Sequence, residues 1–421
     1  MHRFEYKGKE LYCEETPISK IAASVGTPFY LYSIRTFLDH FLKLKKAFAP
    51  VETLICFSMK ANSNLTVLKA LVNQGAGLDI VSGGELFRAK KVGVSPSKIV
   101  FASVGKTASE IEEAIRSQIL MFNVESVQEL ELINAIAHRL RVVQKVAIRL
   151  NPDVAPDTHH YITTGSKQNK FGLDMRTAYK IFMQANRFPS LRLAGIHIHI
   201  GSQITRSKPF IEAIRKCLDF IDSVSYSGNA VETLNIGGGL GIIYSNEKPQ
   251  TAQEFADVVL PLLSKHPKLK LVLEPGRFIS GNSGILVTRV LYEKKTKAKS
   301  FVIVDAAMND LIRPAFYGAH HEIQPVLKTK KAGRLVRSDV VGPICESGDF
   351  LAKNRKLAPL KAGDLLAVMS CGAYGFVMSS NYNSRPRTPE VVTLGRKFFV
   401  ARRRETFKDL VGYERIVQEV V

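Results

Sequence analysis

The sequence predicts an α/β protein: a (β/α)8 barrel of the TIM type plus a C-terminal β-domain, built as a small β-barrel or a β-sandwich. Three observations lead there. Eight short apolar runs alternate with amphipathic stretches between residues 54 and 276. A polar or glycine cluster stands at the end of each of the eight. Beyond residue 279 the texture changes to short strand-like runs broken by Gly, Pro and charged turns. A doubly wound open sheet also alternates strands with helices; the count of eight and the polar ends decide for the barrel.

In chain order the expected strands are Leu54–Phe57, Leu78–Val81, Ile99–Ala102, Ile119–Asn123, Val146–Leu150, Leu193–His199, Thr233–Ile236 and Leu271–Glu274. Helical periodicity fills Ala108–Arg116, Ser126–His138, Arg176–Asn186 and Lys208–Ser225. The β-domain strands are Gly284–Tyr292, Phe301–Asp305, Asp339–Gly342, Asp364–Met369, Glu390–Leu394 and Lys397–Arg402. The first 27 residues look strand-like and join them. The expected division is therefore a barrel over 28–278, and a β-domain from 1–27 and 279–421 that contributes substrate and dimer contacts.

Composition narrows the class. The chain has 421 residues, 45% of them apolar, enough for a sizeable core. Its start, Met1–Lys7, lacks the apolar stretch of a signal peptide, and no run approaches the ~18–20 residues that span a bilayer. Five cysteines (Cys13, Cys56, Cys217, Cys345, Cys371) include no Cys-x-x-Cys pair, so neither a disulfide framework nor a zinc knuckle is expected. A cytoplasmic protein without membrane contact fits best. The formal net charge of +21 could serve nucleic acid, but the basic residues are dispersed and form no recognised module; no nucleic-acid partner is expected.

The strand ends carry the chemistry. They present Lys60, Asp79 and Ser82, Ser103, Asn123, Arg149 and Asn151, His197 and His199, Gly237–Gly239, and Glu274. Lys60 follows the apolar Leu54–Phe57, where poor solvation makes an amine a better nucleophile toward carbonyls. Gly237-Gly238-Gly239-Leu240-Gly241 permits close approach of an anion, yet its spacing is neither G-x-G-x-x-G nor a P-loop. His197 and His199, two apart on a strand, share a face. A metal pair would need further ligands, and packing of one imidazole on a flat cofactor ring is more economical; no metal is expected. Glu274-Pro275-Gly276-Arg277 could hold a cationic ring nitrogen and an anion, or be a simple Glu–Arg salt bridge. A nucleophilic lysine, a phosphate cradle, a stacking imidazole and a carboxylate are together what pyridoxal 5'-phosphate requires.

The ordered motifs Lys60–Asn64, Gly77–Leu86, Asn169–Leu173, His197–Gln203, Gly237–Gly239, Glu274–Arg277, Cys345–Asp349, Gly372–Gly375 and Arg404–Thr406 resemble those of the fold-type III pyridoxal-phosphate decarboxylases, and among these the diaminopimelate decarboxylase family. The resemblance spans essentially the whole chain. It implies decarboxylation of meso-2,6-diaminoheptanedioate to L-lysine and CO2, the last step of lysine biosynthesis. Lys60 would carry the cofactor as a Schiff base, His199 would stack on its ring and Glu274 would pair with the pyridine nitrogen. Ser202, Gly237, Gly238, Gly239, Gly276 and Tyr374 would surround the phosphate, with Asp79, Arg149 and Arg277 also at the cofactor. Arg277, Arg313 and Tyr317 would clamp the substrate's distal carboxylate, Tyr374 would also face the substrate, and Glu346 would hold the distal ammonium. Cys345 would donate the proton. The resemblance places Cys345 and Glu346 in the partner's site, so a homodimer with shared active sites is implied.

Glu346 argues for a substrate whose far end is itself an amino acid. One departure is Phe57-Ser58, where the family often has Tyr-Ala; the lost hydroxyl touches packing and leaves the core apparatus in place. A sister decarboxylase acting on carboxynorspermidine or arginine, and a non-catalytic homologue, remain the alternatives.

Overall fold

Eight parallel strands pair in strict chain order and close on themselves: β1 (Thr53–Ser58), β2 (Gly77–Ile80), β3 (Ile99–Phe101), β4 (Met121–Val124), β5 (Gln144–Arg149), β6 (Leu191–His197), β7 (Thr233–Asn235) and β8 (Lys270–Leu273). Closure is made by β8 on β1, with Leu271 opposite Thr53 and Leu273 opposite Ile55. This computed structural model describes residues 2–154, 170–328 and 335–418; Asn169 of the Asn169–Leu173 motif lies outside them. The chain divides into two units, Phe37–Ile279 and Met1–Thr36 with Ser280–Val421.

Period-two alternation explains the barrel. Ile55, Phe57, Leu78, Ile80, Phe122, Val124, Val146 and Ile148 are buried on one side of the strands. Cys56, Val100, Met121, Ala147 and Val272 pack together on the other. Both faces are covered, so each strand reads as an unbroken apolar run. Two residues beyond that inner layer the inward positions become Ser58, Asp79, Asn123, Arg149 and Glu274, joined by His197 and Asn235 from β6 and β7. A dry layer therefore underlies a polar layer at the C-terminal ends. Side-chain caps open six of the helices that follow the strands. Asn64, Ser82, Thr107, Ser126, Asp174 and Thr251 each accept backbone N–H groups at the start of the next helix.

The other unit is β-rich. One nine-stranded sheet includes, in spatial order, Phe350–Leu357, Val336–Val341, Ser300–Val304, Gly284–Lys295, Phe29–Ser33, Glu390–Leu394 and Lys397–Arg402. Leu365–Val368 pairs with both Gly284–Lys295 and Ile323–Pro325. A separate three-stranded sheet (Phe4–Lys7, Glu10–Cys13, Thr16–Pro17) precedes the helix Ile18–Val25.

The expected boundary at residue 28 is corrected to 36/37, and the second to 279/280. Phe29–Ser33 is a sheet strand, antiparallel to Gly284–Lys295 and parallel to Glu390–Leu394. It is buried throughout, with Phe29 and Leu31 in the apolar core and Tyr30 and Tyr32 on the opposite face. Its apolar run gives no local mark of which unit it serves. A second correction concerns His199, which stands two residues past the end of β6 rather than on the strand.

Candidate active site

The polar layer is organised around Glu274, only 4% exposed. Its Oε1 accepts from Asn123 Nδ2 at 2.9 Å and Asn235 Nδ2 at 2.6 Å, and His197 Nε2 lies 3.2 Å from Oε2. Burial by itself raises such a carboxyl, but His197, Lys60 and the Asn235 amide outweigh it and hold Glu274 well below the usual carboxylate range. The Glu274–Arg277 salt bridge that the motif allowed does not form; Glu274 takes these partners instead. His197 thus supports a carboxylate.

Lys60 follows β1 and its Nζ pairs with Asp79 Oδ2 at 2.7 Å; the Lys60 side chain is 35% exposed and that of Asp79 fully buried. The Ser58 hydroxyl lies 2.7 Å from the same Oδ2 and 2.9 Å from the Glu274 carbonyl. Burial, then repulsion from Glu274, raises the Asp79 carboxyl against the pull of Lys60 and Ser58. Asp79 Oδ1 is buried without a hydrogen-bond partner. Of two neighbouring carboxylates, Glu274 is the firmly ionised one and Asp79 the one that more readily takes a proton.

His199 accepts at Nδ1 from the Gly238 N–H, 3.2 Å away, so in the neutral ring the proton sits on Nε2. Desolvation, then the Arg149 guanidinium and Lys60, holds this imidazole well below its ordinary value. The glycine turn owes its composition to close approach. A Cβ at Gly237 (φ 66°) would stand 2.5 Å from the Ile198 carbonyl oxygen, and one at Gly239 (φ 110°) 2.6 Å from that of Gly201. At Gly238 it would overlap the Glu274 carbonyl. Two of the expected phosphate donors are engaged inside the turn, since Gly237 N–H donates to Asn235 Oδ1 at 2.9 Å and Gly238 N–H to His199.

Arg277, buried, donates through Nε and Nη2 to Ser202 Oγ at 3.2 and 3.0 Å and through Nη1 to the Tyr244 hydroxyl at 2.6 Å. This arrangement suits an anion beside Ser202. Gly276 lies where a Cβ would press on Ala61 at 2.9 Å. Arg149 pairs with Glu125 at 2.5 Å and lies over the Phe171 ring. Ser82 is a helix cap, and Asn151 accepts from its own loop at Asp153 N–H.

In the β-rich unit, Arg313 and Tyr317 bound a short helix, Arg313–Tyr317, with Arg313 buried. Cys345 and Glu346 are exposed on a loop that Asp349 holds by accepting from Met308 and Ile344 N–H, and Asn383 by accepting from Cys345 N–H. Tyr374 is held at φ 55°, a conformation a tyrosine seldom adopts. Asn235, Tyr244 and Glu125 escaped the sequence reading. Asn235 alone carried a signal: it is the inward residue two before Gly237, on the same face as Val272, its register partner, and Glu274 just past the next strand.

A family model described as "Pyridoxal-dependent decarboxylase, pyridoxal binding domain" matches residues 34–281. Diaminopimelate decarboxylase of Aquifex aeolicus is 48% identical over 408 residues, 97% of this chain and 96% of that protein. The Vibrio cholerae enzyme of the same name is 45% identical over 100% of both. The crystal structure of diaminopimelate decarboxylase from Helicobacter pylori complexed with L-lysine superposes with a TM-score of 0.91 at 41% identity, covering 96% of this chain and 100% of that one.

Proposed function

The chain belongs to the diaminopimelate decarboxylases, within the pyridoxal-dependent decarboxylases, and from that premise we propose that it converts meso-2,6-diaminoheptanedioate to L-lysine and CO2 with pyridoxal 5'-phosphate as cofactor. The observation that carries the reading is Glu274, a buried carboxylate held ionised by His197, Asn123 and Asn235 in the same polar layer as Lys60. The residues present fit the cofactor: an amine, an ionised carboxylate, a neutral imidazole, and a glycine turn whose side chains could not be accommodated.

When bound, the cofactor supplies an electron sink for the pair left behind as the α-carboxylate departs. Lys60 would anchor it through Nζ, and Asp79, with its raised carboxyl, would take or return a proton at that nitrogen. Glu274 would hold the proton on the ring nitrogen, because an ionised carboxylate in a dry site favours the protonated base beside it. Neutral His199 would lie against the ring face. Ser202, Arg277 and Tyr374 would take the phosphate, with Gly276 and the Gly237–Gly239 turn surrounding it, and Arg149 would support His199 through its carbonyl, 3.5 Å away. Arg277, Arg313 and Tyr317 would bind the distal carboxylate, Tyr374 would also face the substrate, and Glu346 would bind the distal ammonium. Cys345 would protonate the α-carbon.

Exposure of Cys345 and Glu346 on their own protomer supports a homodimer in which each chain lends this loop to its partner. All five cysteines are free thiols, which supports a cytoplasmic setting. Among the described residues no helix is long and apolar enough to cross a membrane.

The test is release of L-lysine and CO2 by purified protein with added pyridoxal 5'-phosphate, comparing meso-diaminopimelate with arginine and carboxynorspermidine. Turnover of diaminopimelate alone is expected. Turnover of either competitor with none on diaminopimelate contradicts the substrate assignment.

A further inference from the structure

Arg313 rests on an imidazole. Its Nε donates to His321 Nε2 at 3.3 Å, and both residues are buried. On the other side of the ring, Nδ1 lies 2.8 Å from the Met369 carbonyl oxygen. A carbonyl only accepts and an arginine Nε only donates. The two partners therefore assign the ring its tautomer: the proton is on Nδ1, and Nε2 is the acceptor. Cys371 Sγ stands 3.6 Å from the same Nδ1 and also lies near the carbonyls of Val368 and Met369. The backbone is fixed as well. Arg355 Nη2 donates to the His321 carbonyl at 2.9 Å, and Met369 N–H donates to the Glu322 carbonyl at 2.8 Å beside the antiparallel pairing of Ile323–Pro325 with Leu365–Val368.

A guanidinium can meet a carboxylate in bidentate fashion through its Nε–Nη edge or its Nη1–Nη2 edge. With Nε committed to His321, the Nη1–Nη2 edge is the one a carboxylate meets. A neutral ring nitrogen also orients the cation without cancelling its charge, as a carboxylate at position 321 would do. We propose that His321 is a positioning residue that sets the Arg313 guanidinium for the distal carboxylate of the substrate. This rests on the reading of Arg313 as the carboxylate clamp.

The experiment measures KM for meso-diaminopimelate, kcat, and the dissociation constant of L-lysine, which keeps the distal carboxylate, on the holoenzyme. The variants are His321→Asn, His321→Gln and Arg313→Lys, with the double variant Arg313→Lys/His321→Asn. Asparagine can still donate to Met369 but leaves the Arg313 Nε–H without its acceptor. KM and the lysine constant should rise about ten- to a hundredfold, the range for a hydrogen bond to a charged group, with kcat within about threefold. Glutamine places an acceptor near the former Nε2 and should restore both constants to within about threefold of wild type, a rescue that a purely structural role does not predict. In the Arg313→Lys background, which has no Nε, His321→Asn should add nothing.

Asparagine at wild-type constants with glutamine impaired overturns the proposal and makes Met369 the important partner. An equal effect of His321→Asn in both backgrounds overturns it too. Arg313→Lys with unchanged constants overturns the clamp reading itself, a result distinct from the other two. Should His321→Asn fail to fold, glutamine decides: wild-type constants support the proposal, and constants raised as far as those of Arg313→Lys overturn it.

Discussion

Replacing Asn123 with leucine isolates one of the groups that keep Glu274 ionised. The Asn123 amide donates to Glu274 Oε1 at 2.9 Å, and its own Oδ1 is buried with no hydrogen-bond partner, so truncating the amide orphans no other group. Leucine fills a similar volume. A hydrogen bond to a buried charge is worth about 1.5–3 kcal/mol. At about 1.4 kcal/mol per pKa unit, its loss moves the Glu274 carboxyl up by roughly 1–2 units. Glu274 is held below its unfolded value, so its contribution to stability is present above a pH of about 4.5 and is lost as pH falls through the folded value. Asn123→Leu should therefore cost about 1.5–3 kcal/mol in urea unfolding at neutral pH, and less as the solution is acidified. In a Glu274→Gln background the same substitution should cost under about 1 kcal/mol, the worth of a neutral hydrogen bond. A loss that is the same in both backgrounds, or none at neutral pH, refutes the reasoning.

Gly238→Ala sets a methyl group against the Glu274 carbonyl; the purified variant should lose pyridoxal 5'-phosphate on dialysis that wild type withstands, and equal retention contradicts the packing account. Cys345→Ala, on an exposed loop, should keep wild-type thermal stability while kcat falls by about 10²–10⁴, the range for a general acid, and an unchanged kcat moves the proton source elsewhere. Asp310 is pushed up to about 7 by burial, against the hydrogen bond from Ala307 N–H. The folded state thus keeps a proton that the unfolded chain releases near pH 4, and stability falls as pH rises from about 4 to about 7. Asp310→Asn keeps an acceptor for Ala307 and should remove that fall in stability, about 2–3 kcal/mol between pH 5 and pH 8 as read from urea unfolding; an unchanged fall contradicts it.

The barrel was legible because parallel strands buried on both faces leave continuous apolar runs, two of them followed closely by a helix-capping serine, Ser82 or Ser126. Phe29–Ser33 has the same texture, so nothing in its residues tells a β-domain strand from a barrel strand. Phe350–Leu357 leaves no continuous apolar run along its length, for a different reason. It is an edge strand carrying Lys353, Asn354, Arg355 and Lys356, and such strands are kept polar against edge-to-edge pairing. Within the site, Lys60, Glu274 and the glycine turn stood out because their types are chemically distinctive at strand ends. The roles of His197, Asn235 and His321 depend on partners 77, 39 and 8 residues away, namely Glu274 for the first two and Arg313 for the third. Only folding brings those partners together.

The most direct measurement is the yield of CO2 and L-lysine from meso-diaminopimelate by wild type and by Lys60→Ala, each with added pyridoxal 5'-phosphate. Wild type should release the two products in equal amounts while Lys60→Ala releases neither. Wild-type turnover by Lys60→Ala would contradict the assignment of Lys60, and with it the chemistry built on the polar layer of the barrel.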